Sequence, residues 1–155
     1  MIPDAPIFEF ERDFAGSLRC IPMAVRFNLD LCGVKLSLRQ WSKFTRDDRA
    51  QLLSMHCATA EATDEYRQLL TSLIEAKCSE PVKLLPIEER PEWSDAQRVP
   101  ASVEDYAMSL GLDPPTQSQW ASLTHLQRFT LLKLVRASHD NVNFIPALRE
   151  FGLLA

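Results

Sequence analysis

The side chains best suited to chemistry are four cysteines (Cys20, Cys32, Cys57, Cys78) and three histidines (His56, His125, His139). Only at His56-Cys57 do two good soft ligands adjoin, with Cys20 and Cys32 as distant partners. A metal needs three or four such groups converging, and these spacings match no usual zinc pattern. A Cys–His catalytic pair must face each other, which helix neighbours one residue apart do not. The thiols therefore read as core packing, free cysteine being among the most buried residue types. A metal- or cluster-handling role for Cys20, Cys32 and Cys57 is kept as an alternative. Carboxylates cluster at Asp47-Asp48, Asp64-Glu65 and Glu88-Glu89, each near a helix start or in a solvated loop. No G-x-S-x-G, H-E-x-x-H or S-x-x-K occurs, and four glycines leave little material for a phosphate loop. The chain reads as a non-enzyme.

Cations give a sharper pattern. Arg39, Lys43 and Arg46 are spaced i, i+4, i+7, with Lys35 before and Arg49 after. If a helix break at Thr45 keeps them on one side, they form a basic stripe on a chain of net charge -4. That stripe suits an acidic partner or an anion.

The elements that would position it come from an internal repeat. Gln40-Trp41-x-x-Phe44-Thr45-x-x-x-Arg49-x-x-Leu52-Leu53 returns as Gln119-Trp120-x-x-Leu123-Thr124-x-x-x-Arg128-x-x-Leu131-Leu132. With one inserted residue, Pro22, Val25, Gly33 and Val34 fall on Pro100, Val103, Gly111 and Leu112. A unit of about 35 residues used twice is a strong architectural constraint. The basic stripe is absent from the second copy, where Ser118, Ser122 and His125 replace Arg39, Lys43 and Arg46. The first copy is thereby nominated as the docking surface. Arg49 and Arg128 occur in both copies and read as structural, bonding a carbonyl or carboxylate between helices.

Periodicity sets the elements. Pro22 and Pro100 suit the first turn of helices that end at Gly33 and Gly111, with Ser102 as N-cap of the second. Short helices near 37–44 and 116–123 follow, capped by Ser37 and Thr116. Thr45-x-x-Asp48 and Thr124-x-x-Gln127 then start long helices over about 46–57 and 125–138. Leu52-Leu53 and Leu131-Leu132 face inward, with Trp41 and Trp120 in the angle between short and long helix. Tyr66, Leu69, Leu70, Leu73 and Ile74 mark an amphipathic helix over 64–77. Residues 79–99 form a proline-rich connector, packed by Val82, Leu84, Leu85, Ile87 and Trp93. A last short helix runs from Pro146 to Gly152. Alternation from Phe8 to Glu11 suits an extended N-terminal arm.

The expected fold is all-α: one domain over 1–155, with repeat copies at about 22–57 and 100–138. The acidic balance argues against a nucleic-acid or anionic-membrane binder. No apolar run approaches the ~18 residues of a membrane span. With no signal-like N-terminus, a cytoplasmic protein is expected.

Three stretches carry a family resemblance: Phe8-Glu9-Phe10-Glu11-x-Asp13-Phe14, Ser17-Leu18-Arg19-Cys20-Ile21-Pro22-Met23 and Arg26-Phe27-x-Leu29-Asp30-x-Cys32-Gly33-Val34-Lys35-Leu36. Through them the chain resembles the nitrate reductase associated protein family. The resemblance implies a part in obtaining active nitrate reductase, an enzyme carrying a molybdenum cofactor and an iron–sulfur cluster. It brings no catalytic residues, and it draws attention to Arg19, Cys20, Arg26, Asp30, Lys35 and Trp41. The expectation is a non-enzymatic accessory or maturation factor, without a cofactor of its own. It would bind apo-nitrate reductase, or transiently its molybdenum cofactor, through Arg19, Arg26, Lys35, Arg39, Lys43 and Arg46. Besides metal handling, a module sensing an anionic metabolite is the other alternative.

Overall fold

The computed structural model describes residues 7–136 and 141–155. The fold is mostly helical, as expected, with one small two-stranded sheet. It divides into two compact units, Met1–Ile87 and Glu88–Ala155.

The first unit opens differently from the expected extended arm. Glu9–Glu11 is a 3-10 turn running into helix α1, Arg12–Ala15. The alternation misleads because one of its two charged positions is buried: Glu11 is only 1% exposed, while Glu9 faces solvent. Its carboxylate accepts the N–H groups of Phe8 and Met23, both at 3.0 Å. Helix α2, Met23–Cys32, starts after Pro22, whose lack of an N–H costs nothing at that position. It ends at Gly33, whose φ of 72° is the left-handed conformation favoured by glycine. Strand β1 (Val34–Lys35), helix α3 (Leu38–Lys43) and helix α4 (Arg46–Ser54) follow. Ser37 and Thr45 cap them, each in a reciprocal capping box with Gln40 or Asp48. Helix α4 stops at Ser54, short of the expected 57, and Met55 is extended. The released Met55 carbonyl takes the Asn28 amide at 3.2 Å. Helix α5, Ala60–Lys77, begins earlier than its apolar stripe, because Thr59 caps it. Strand β2, Lys83–Leu84, pairs antiparallel with β1. Helix α2 packs against α4 and α5. Trp41, Phe44, Leu52, Tyr66, Leu70 and Ile74 fill the core between them.

In the second unit a 3-10 turn at Glu92–Ser94 precedes α6 (Ala101–Ser109), α7 (Gln117–Ser122), α8 (His125–Arg136) and α9 (Phe144–Glu150). Pro100, not Ser102, is the residue that caps α6, and Gly111 has φ 76°. Thr116 and Thr124 make capping boxes with Gln119 and Gln127. Residues 137–138, expected to close α8, lie outside the described residues. Helix α8 packs on α6, α9 and the 92–94 turn, and Trp120, Phe129, Leu131, Leu134 and Phe144 are buried.

The expected packed connector is only partly so. Val82, Leu85 and Trp93 are half-buried, whereas Leu84 and Ile87 are 70% and 54% exposed. Two-residue pairing through β2 orders the segment instead of burial.

Candidate functional site

The first unit holds all the predicted cations, and a strained turn lies among them. Leu18 is buried with φ 64°, a conformation that non-glycine residues rarely adopt. Its carbonyl accepts from Trp41 Nε1 and from Arg49 Nη1, both at 2.8 Å. Arg49 also donates to the Phe44 carbonyl through Nε at 3.2 Å and Nη2 at 3.0 Å. Three bonds from one planar guanidinium thus lock the α3–α4 corner onto the turn, the structural role expected of Arg49. Two donors on one carbonyl are what hold Leu18 in its costly backbone conformation. Arg19, next along, projects into solvent.

The six predicted cations fall into two groups. Arg26 and Arg46 each give a bond to a backbone carbonyl, Ile21 at 3.2 Å and Ser17 at 3.3 Å, which fixes these side chains locally. Arg19, Lys35, Arg39 and Lys43 are exposed and make no ion pair or hydrogen bond among the described residues. Three other cations of this unit do have carboxylate partners: Arg12 with Glu9, Arg67 with Asp64, Lys77 with Asp48.

One cation was not legible from the sequence. In the β1–β2 register Lys35 stands directly opposite Lys83. Both are exposed, and neither has an ion pair among the described residues. Cross-strand partners share a sheet face, so these ammonium groups repel. Lys83 lies in the connector, and only the pairing places it beside Lys35. That pairing depends on Gly33, where a Cβ would meet Ile87 Cγ1 at 2.8 Å and the Leu85 carbonyl oxygen at 2.9 Å. Leu85 N–H closes the junction on the Gly33 carbonyl at 2.7 Å.

The thiols behave as packing groups. Cys32 and Cys57 are buried. Burial pushes Cys32 up, and burial with the neighbouring Cys32 pushes Cys57 up to about 11. Such thiols stay protonated and are weak nucleophiles near neutrality. Tyr66 packs near both, its hydroxyl buried without a hydrogen-bond partner among the described residues, and burial raises its pKa as well. The Asn28 amide lies close to that hydroxyl but bonds the Met55 carbonyl. Cys20 and Cys78 are half-buried. Among the described residues no three His, Cys, Asp or Glu side chains come together as a metal needs, so Cys20 does not join Cys32 and Cys57. His56 does not address Cys57, since its Nδ1 accepts the Ala58 N–H at 3.1 Å.

In the second unit, Trp120 Nε1 donates to the Asp95 carbonyl at 2.9 Å. Arg128 bonds the Trp93 and Trp120 carbonyls at 2.8 and 3.2 Å. Around this frame Ser118 and Ser122 are uncharged, and burial and Arg128 lower the pKa of His125. A cationic face is therefore absent at these three positions.

A family of conserved nitrate reductase-associated proteins matches the chain over residues 7–151. The protein belongs to that family. The match runs through both units, and in the nitrate reductase-associated family it is association with the enzyme, not the reduction itself, that the name describes. No curated protein and no solved structure matches the chain. Among the described residues no helix is long and apolar enough to cross a membrane.

Proposed function

We propose that this protein is a non-enzymatic accessory factor for nitrate reductase, acting in the cytoplasm as a maturation factor that holds the apoenzyme. The observation that carries this reading is a set of exposed cations, without a partner among the described residues, on the first unit of an acidic chain. Exposed charges contribute little to folding, so Arg19, Lys35, Arg39 and Lys43 are not needed for stability. They do suit docking, because complementary charge speeds encounter and selects the partner. Arg26 and Arg46, each anchored by one carbonyl, would flank that contact with donors to spare. A guanidinium matches a carboxylate or phosphate bidentately, so the same face would also accept the phosphate of the reductase's molybdenum cofactor during hand-over.

The test is a pull-down of tagged protein from nitrate-grown cells, with mass spectrometry and molybdenum and iron assays of the eluate. Recovery of nitrate reductase depleted in molybdenum is expected, and an Arg39→Glu/Lys43→Glu double variant should recover much less. Equal recovery by that variant would refute the docking face, and recovery of no reductase by the wild type would refute the accessory role.

A further inference from the structure

The Lys35–Lys83 pair is an unfavourable feature of the surface. Two like charges directly opposite on a two-stranded ladder destabilise it, and among the described residues no carboxylate compensates. The same segment carries two exposed apolar side chains: Leu84 at 70%, which strand alternation puts on the other face of β2, and Ile87 at 54%. Strand β2 has no strand on its other side among the described residues, leaving an edge open to further pairing.

We infer that Lys83 and Lys35 form a docking site for an extended acidic segment of the partner protein, laid along the β2 edge beside Leu84. The chemistry selects this occupant. Two ammonium groups supply positive charge that carboxylates would neutralise, and the apolar side chains of the segment separate a peptide from a small anion. Exposed leucine and isoleucine want apolar side chains, which a peptide has and an inorganic anion lacks. A free strand edge supplies backbone bonds, the usual mode of strand addition. A carboxylate between the lysines would remove the repulsion that the free protein carries.

Edge lysines also occur simply to discourage strand-to-strand aggregation. The two roles differ in sign dependence: any charge protects an edge, but only a positive one attracts an acidic segment. Lys83→Glu separates them. It keeps a charged edge and places a carboxylate opposite Lys35, so the melting temperature should rise by about 1–3 °C. That rise shows the variant to be folded.

The inference rests on the docking reading above, and its test is arranged to fail separately. Binding of purified nitrate reductase to the immobilised full chain is compared for the wild type, Lys83→Glu and Lys35→Glu. A loss of about tenfold in affinity for both variants, with the melting temperature of Lys83→Glu maintained or raised, supports the site. Wild-type affinity in a folded Lys83→Glu protein overturns it while leaving the accessory role intact. Should the wild type bind no reductase, the accessory role fails. A labelled peptide of alternating Glu and Leu then decides the site: binding that Lys83→Glu abolishes upholds it, and no binding overturns it.

Discussion

Removing the Glu11 carboxylate should loosen the N-terminal segment from α2 and lower the stability of the protein substantially. Glu11 is 1% exposed, and its two oxygens accept from Phe8 N–H and Met23 N–H at 3.0 Å. Met23 is the first residue of α2, where Pro22 supplies no side-chain cap. A carboxylate there also faces the positive end of the helix dipole. Hydrogen bonds to a charged group contribute about 1.5–3 kcal/mol each. Phe8 is half-buried, so water replaces part of its lost bond. Glu11→Ala is therefore expected to cost about 2–4 kcal/mol, and Glu11→Gln, which keeps one good acceptor, about 1–2 kcal/mol. At roughly 2–4 °C per kcal/mol for a chain of this size, Glu11→Ala should melt about 5–15 °C lower. Thermal unfolding followed by circular dichroism reads this directly. An Ala variant within about 0.5 kcal/mol of wild type, the range of surface substitutions, would refute the capping role.

Further outcomes follow from the same geometry. Arg49→Lys exchanges three directed bonds to the Leu18 and Phe44 carbonyls for a point charge, and should cost about 1–3 kcal/mol by thermal or urea unfolding; wild-type stability would show that the carbonyl clamp is dispensable. Hydrogen bonding from Lys77 holds the Asp48 carboxyl below its ordinary value. Because the folded pKa is depressed, that contribution is present above the unfolded carboxylate range of about 4 and is lost as pH falls through the folded value. The melting-temperature gap between wild type and Asp48→Asn, about 1–2 °C for a surface pair, should therefore hold at pH 6 and close below about pH 4; a gap independent of pH would refute it. Alkylation at pH 8 with peptide mapping should label Cys20 in the folded protein and reach Cys32 and Cys57 only after unfolding, since these are buried with raised pKa. Native-state labelling of Cys57 at the rate of a free thiol would contradict the packing role.

What the amino-acid order alone determined is local and periodic. Thr45 and Asp48, and Thr124 and Gln127, announce helix starts because capping is settled within four residues. Gly33 and Gly111 announce stops because only the backbone angle at one residue is at stake. The apolar stripe of α5 named Tyr66, Leu69, Leu70, Leu73 and Ile74; Tyr66, Leu70 and Ile74 are fully buried, and Leu69 and Leu73 are half-buried. Arg39 and Lys43 stood out because their helical spacing has only Ser118 and Ser122 as its counterpart in the second copy.

The rest depended on residues distant in the chain. Glu11 looked like the solvent side of an arm, and the N–H that buries it belongs to Met23, twelve residues on. Leu18 gave no local sign of a left-handed backbone, which Trp41 and Arg49 hold from 23 and 31 residues away. Lys83 was one more charge in a proline-rich connector until strand pairing set it against Lys35. Periodicity reads what each residue does to its neighbours along the chain. Buried charge, strain and like-charge pairing are decided by which remote backbone groups the fold brings within hydrogen-bonding distance.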